Sequence, residues 1–304
     1  SGNSYNPSIK GDISIKQGRY ENAQTGTILK DIVADIKVSE KLIQLLKLSA
    51  NDAQQGQITA TGQVLLDISQ ESDFIKEYLF KMNLNKSQLL NQDDMLLQVS
   101  GDLNLTGNSQ QGKLQSLITI DRGEFFLPES TGADIPELKV VEVNKTGKIK
   151  PKEKQQLTQD SYSLDLNAAI KIPSKMYVRG RGLESEWSGE VAITGKAADP
   201  LLEGHLQINR GYLNFISHRF NFRKGTINFV GSVPPQPQLD FELLAMGKEV
   251  TAILKITGDA QKPDIKLESE PMMPNDEILS QLLFNKNISE ISAFEALQLA
   301  SAVR

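Results

Sequence analysis

Apolar and polar residues alternate along most of this chain, and the alternation predicts strands. Leu164, Leu166, Ala168, Ile170 and Ile172 share one parity, with Asp165, Asn167, Ala169 and Lys171 between them. A period of two puts such a set on one face of a sheet and leaves the other face to water. The pattern returns at Met95/Leu97/Val99, Leu103/Leu105, Ile118/Ile120, Val191/Ile193 and Leu206/Ile208. It continues at Leu213/Phe215, Ile227/Phe229, Leu239/Phe241/Leu243 and Val250/Ala252/Leu254/Ile256. Turn chemistry punctuates it at Asp199-Pro200 and between Gly231 and Pro237.

A few segments read as helix. Leu42, Ile43, Leu45 and Leu46 follow Ser39, which predicts a short capped helix over Ser39–Lys47. Phe74, Ile75, Tyr78 and Leu79 have helical spacing within Phe74–Leu90. Near the end, Pro274 suits the first turn of a helix, and Asp276 and Glu277 favour its dipole there. Ser292 and Glu295 have the capping-box spacing of a second helix. Lys145–Lys154 holds five lysines in ten residues and no apolar period, so 145–160 reads as a loop or linker. The chain then divides into a β-repeat segment 1–144, that linker, a β-segment 161–270 and a helical end 271–304.

An internal repeat underlies the strands. Ser100-Gly-Asp-Leu-Asn-Leu-Thr-Gly107 matches Ser188-Gly-Glu-Val-Ala-Ile-Thr-Gly195 at an offset of 88. The same offset carries Ile118-x-Ile120-x-Arg122-Gly123 onto Leu206-x-Ile208-x-Arg210-Gly211. Ile13-x-Ile15-x-x-Gly18-x-Tyr20 is an earlier echo. One strand-turn-strand unit used repeatedly predicts an elongated, stacked all-β structure.

Composition narrows function by exclusion. With 304 residues the chain can bury a large core, and a net charge of -5 disfavours nucleic acid as the main partner. No cysteine is present, so thiol catalysis, disulfides and thiolate metal sites are excluded. The two histidines, His205 and His218, have no metal or triad spacing, which leaves no catalytic residue and no metal or cofactor to name. Arg179-Gly-Arg-Gly182 is a single RGG-like element in an acidic chain. The lysine cluster could touch anionic lipid head groups. No apolar run is long enough for a membrane-spanning helix, and the Ser1-Gly2-Asn3 start reads as that of an excised piece whose anchor lies elsewhere.

What remains is an apolar surplus. A long sheet with few helices must close into a barrel, fold over itself or leave a groove. An exposed apolar lining marks a binding surface for an acyl chain or an unfolded β-strand. The inward parity marks the lining: Leu164, Leu166, Ile170 and Ile172, then Leu206, Ile208, Leu213 and Phe215. It runs on through Ile227, Phe229, Leu239, Phe241, Leu243, Leu254 and Ile256. Ile278, Leu282, Leu283, Phe294 and Leu297 on the two terminal helices are placed to plug the end of such a groove or to dock on a neighbouring segment.

Several motifs together resemble the TamB family. They include Tyr177-Val-Arg-Gly-Arg-Gly-Leu-Glu-Ser-Glu-Trp187, Ala198-Asp-Pro200, Arg219-Phe-x-Phe222, Gly225-Thr-Ile227 and Lys262-Pro-x-Ile265. Pro274-x-Asp276-Glu277-Ile278-Leu279-Ser280-x-Leu282-Leu283-Phe284 follows, with Glu295-Ala-Leu-Gln-Leu-Ala300 behind it. The order and spacing match over roughly residues 160–303. The resemblance implies a curved β-taco sheet with an apolar trough, a periplasmic setting and an inner-membrane anchor. It implies a TamA-type outer-membrane barrel partner and unfolded barrel proteins, autotransporters among them, as clients. Kinship with the AsmA-like group implies a second reading, a conduit for phospholipid acyl chains. Both readings imply a non-enzymatic role.

Overall fold

The computed structural model describes residues 10–67, 74–128, 162–215, 218–247, 250–295 and 297. The predicted linker 145–160 lies outside them. Alternating sequence folds here into β1 (Gly11–Asn22), β2 (Thr27–Ser39), β3 (Leu42–Asp52), β4 (Gln57–Leu66), β5 (Ile75–Asn91), β6 (Met95–Gly107) and β7 (Gln111–Phe126). It continues as β8 (Ser163–Gly180), β9 (Leu183–Lys196), β10 (Asp199–Phe215), β11 (His218–Val230), β12 (Gln238–Met246), β13 (Thr251–Asp259) and β14 (Asp264–Glu270). All fourteen form one curved sheet in sequence order, and β1 and β14 do not meet to close it into a barrel. Every neighbouring pair is antiparallel except β7 and β8, which run parallel. Parallel neighbours need a crossover of a dozen or more residues, and the chain between Phe126 and Ser163 supplies it.

Two predicted helices are strands. Ser39–Lys47 falls across the β2–β3 hairpin, where the Ser39 hydroxyl donates to the Leu42 carbonyl at 3.2 Å and closes the turn instead of capping a helix. Phe74–Leu90 falls in β5. Two local features imitated a helical period. Leu42 and Leu79 are apolar on the outer parity, and Leu46 is the extra residue of a bulge, 55% exposed. Cross-strand pairing on both sides overrides so short a pattern. The C-terminal helices do form. Pro274 caps α1 (Asn275–Phe284), a 3-10 turn follows at Ile288–Glu290, and residues 293–295 and 297 are helical.

The repeat has a structural counterpart. In both copies the serine donates to an extra, unpaired residue of the partner strand: Ser100 to Asp121 at 2.5 Å, Ser188 to Asn209 at 2.7 Å. Both of those residues are β-bulges, lying between Ile120 and Arg122 and between Ile208 and Arg210. The glycine after each serine faces a backbone carbonyl so closely that a Cβ would lie 2.1 or 2.2 Å from it. β1 bulges between Ile15 and Gly18, at the level of the third echo.

A candidate apolar trough

These bulges align into a crease. Register shifts interrupt the ladders at mid-strand in most pairings from β1 to β12, whereas β12–β13 and β13–β14 have none. Gln17, Asp31, Lys86 and Lys175 take left-handed φ of 57°, 52°, 49° and 62° at the shifts. A bulge bends its strand, so a row of them folds the sheet lengthwise into two walls. A bulge also moves the inward parity by one residue. That is why Leu206 and Ile208 (even) and Leu213 and Phe215 (odd) face the same way along β10.

Residues directly opposite across a ladder share a face. One apolar row therefore runs Ile13–Ile36–Leu45–Gly62–Phe80–Leu105–Leu114–Leu166 across β1 to β8. A second runs Ile172–Gly189–Leu206–Ile227–Leu239 across β8 to β12. Ile170 pairs with Ile118 and Val191, Gly204 with Phe229, Phe241 with Ile256, and Leu243 with Leu254. Leu164 sits opposite Gly112, Leu213 opposite Phe220, and Ile208 opposite Trp187. The fifteen lining residues named from sequence thus share the concave face.

Depth separates them. At the crease the two walls touch and bury one another: Ile172, Trp187 and Leu206 form one cluster, and Ile58, Leu84 and Val99 another. Trp187 stacks edge-on to Phe241 at 5.9 Å, and its indole N–H donates to Ser185 Oγ at 2.9 Å, so its polar end is satisfied. The rest of the lining is less covered. Leu164, Leu166, Ile170, Ile227 and Phe229 are half-buried, and Phe215 is 44% exposed. Among the described residues, α1 is the one element laid over this face. Ile278 and Leu282 pack against Phe220, Leu243, Ala245, Ala252 and Leu254. The placement has a reason: β12 to β14 are short and unbulged, so no second wall folds over them. Leu283 is half-buried outside that cluster, while Phe294 and Leu297 are about 70% exposed.

Rim contacts set the trough's limits. The β1–β2 turn bonds to the end of β5: the Asn91 N–H donates to the Thr25 carbonyl at 2.8 Å, and Thr27 Oγ to the Leu89 carbonyl at 2.7 Å. On the opposite rim the Tyr78 and Tyr162 hydroxyls hydrogen-bond over Gly107 and Gly112. Burial pushes the Tyr78 phenol up to about 12, and the Tyr162 hydrogen bond adds to this.

The outer face is mostly polar, with Leu117, 50% exposed, among its exceptions. A cleft on it, of about 620 Å³, is lined by Tyr177, Arg179, Glu184, Glu186, Arg210, Tyr212 and Arg219. Its charges largely answer one another. Arg210 binds Glu186 at 2.7 Å, Arg179 binds Glu124 at 3.0 Å, and Arg219 stacks on the Tyr212 ring at 3.5 Å. The cleft braces the wall. His205 lies exposed on this face of β10 and His218 opens β11.

Sequence reasoning missed the N-terminal half of the lining, including Phe80, Leu105, Leu114 and Ile118. The repeat could have found part of it, because the offset of 88 maps Leu206 and Ile208 onto Ile118 and Ile120. No helix among the described residues is long and apolar enough to cross a membrane.

The family model of the TamB C-terminal domain matches residues 46–304. A curated relative, the translocation and assembly module subunit TamB of Haemophilus influenzae, is 23% identical over 150 residues. That match covers 45% of this chain and 12% of the Haemophilus protein.

Proposed function

Because the chain belongs to the TamB family, we propose that its trough shields an apolar client from water within a translocation and assembly module. One observation carries the reading: the concave face is apolar in register from β1 to β13, and away from the crease and α1 it is only half-covered. Half-covered apolar surface on that scale has an occupant. The module named by the Haemophilus relative supplies the setting. In it this chain is a non-enzymatic periplasmic segment of an inner-membrane-anchored protein, working with a TamA-type outer-membrane barrel on unfolded barrel clients such as autotransporters. A second reading, a conduit for phospholipid acyl chains, is favoured by the row from Ile13 to Leu166, which no polar side chain interrupts.

Native mass spectrometry of the purified chain, with extraction and identification of bound lipid, tests both. Phe229→Asp and Ile208→Asp each place a charge on a half-buried lining residue beside the Trp187 cluster, and circular dichroism shows which variant keeps the sheet before its ligands are compared. Co-purifying phospholipid that Phe229→Asp abolishes is the result expected of a lipid conduit. Without lipid, an unfolded barrel-strand peptide should bind the unaltered chain and not Phe229→Asp. Failure of both ligands to bind would overturn the trough as a working surface.

A further inference from the structure

We infer that α1 is a resident stand-in for the trough's client, and that the client at this end is an amphipathic peptide segment that displaces it. The inference rests on the reading that the trough takes clients, and it names their class.

The seat is built for a helix face. Ile278 and Leu282, four residues apart, are 0% and 2% exposed, while Asn275 and Asp276 stay in water. Residues at that spacing stand one above the other on a helix. Beneath them Ala245 and Ala252 are small enough to let a helix backbone come close. Phe241, Ile256 and Leu267 border the seat and are only partly covered, so it is continuous with the open trough.

Apart from the seat, the occupant's side-chain bonds go to the segment that follows it: Ser280 Oγ donates to the Lys286 carbonyl at 2.8 Å, Gln281 Nε2 donates to Asn287 at 2.9 Å, and Glu277 accepts from the Ile288 N–H. At ten residues α1 is shorter than the roughly 12–15 that an isolated helix needs. Its N-cap, Pro274, makes no side-chain hydrogen bond, and its last turn carries no basic residue to complement the dipole. It is helical because the seat accepts its apolar stripe. The chain leading into it, Pro271–Pro274, is tethered by Ser269 Oγ, which donates to the Pro271 carbonyl at 2.7 Å and accepts from the Met273 N–H at 3.1 Å. Met272 in this stretch is 95% exposed. A short helix on such a tether can leave its seat, together with the residues that follow it, without disturbing a ladder.

The occupant also indicates the class. Among the described residues no strand closes over α1, and Asn275 and Asp276 are exposed beside the buried Ile278, Leu279, Ser280 and Leu282, so an occupant of β11–β13 turns a polar part to water. An amphipathic peptide has one along its whole length, and an acyl chain has none.

The probe is a capped, fluorescently labelled peptide with the sequence of residues 275–284, titrated by anisotropy into the full chain. The unaltered chain should bind it weakly, because the tethered copy holds the seat at high effective concentration. Ile278→Asp/Leu282→Asp should empty the seat and bind the peptide at least tenfold more tightly; Ile278→Ser/Leu282→Ser serves if the first variant does not fold. A shuffled peptide should gain nothing. Equal affinity for the unaltered chain and a folded variant would overturn the inference, making α1 a permanent cap. A gain for a labelled sixteen-carbon fatty acid, with none for the peptide, would overturn the assigned class. Neither result touches the trough reading, which stands or falls on ligand loss in Phe229→Asp with α1 intact.

Discussion

Single residues decide where this sheet bends. Gly101 and Gly189 take φ of 149° and 150° and lie against carbonyl oxygens of the neighbouring strand. A methyl there would force the backbones apart, since the contact is with main chain and not with a yielding side chain. Gly189→Ala should destabilise the chain by about 2–3 kcal/mol, read from the urea midpoint at unchanged m-value. The matched change at Gly123, where a Cβ meets only side-chain atoms at 3.4 Å or more, should cost much less. Equal costs at the two positions would show that the close strand approach does not govern the fold. The serine-to-bulge bonds at Asp121 and Asn209 act at the same scale, holding an unpaired residue in place so that the next one faces the other way.

Among the elements, the C-terminal helical segment responds to pH. Glu295 accepts from Lys286 Nζ at 2.9 Å, and its other oxygen accepts from the Ser292 N–H at 2.7 Å, completing the capping box. The Lys286 bond first and the Ser292 bonds next hold its carboxyl down at about 2, from an ordinary 4.5. A depressed carboxyl contributes its stability above the unfolded value and loses it as pH falls through the folded one. The brace should therefore be intact at pH 5 and above and should fail between about pH 4.5 and 2. Amide exchange at Glu295 should quicken across that window, and Glu295→Gln should abolish the dependence. Unchanged exchange from pH 5 to 2 would mean that the brace does not hold the segment. The carboxylate is at the surface, so the effect is local and the sheet should not register it.

At the scale of the molecule, parallel pairing of β7 with β8 joins two creased halves. Running from Gln111↔Ser163 to Phe126↔Arg179 with one shift between Thr119 and Gly123, it is among the longest ladders in the sheet and continues the apolar face from β7 to β8. Residues 1–128 and 162–304, made as separate chains, should therefore associate and elute together. Leu114→Asp, placed opposite Leu166, should weaken that association. Halves that stay apart would mean that the covalent crossover, and not the ladder, holds them in one sheet.

Much of this was legible in the sequence, for a definite reason. Alternation reports which side of a strand is dry wherever the other side is wet, so the all-β class, the repeat and the common face of those fifteen positions could be read directly. The capping box at Ser292 and Glu295 and the acids of α1 were equally local signals. Where both parities carried leucine, as at Leu42 and Leu79, the local signal failed and only pairing with neighbours could assign a strand. The crease depends on which residue of each strand is left unpaired, and that is a property of register between strands far apart in sequence. So is the division of the lining into a buried floor and half-open walls. The parallel join and the seat under α1 bring together segments whose compatibility no window of sequence contains, and the tertiary structure alone decided them.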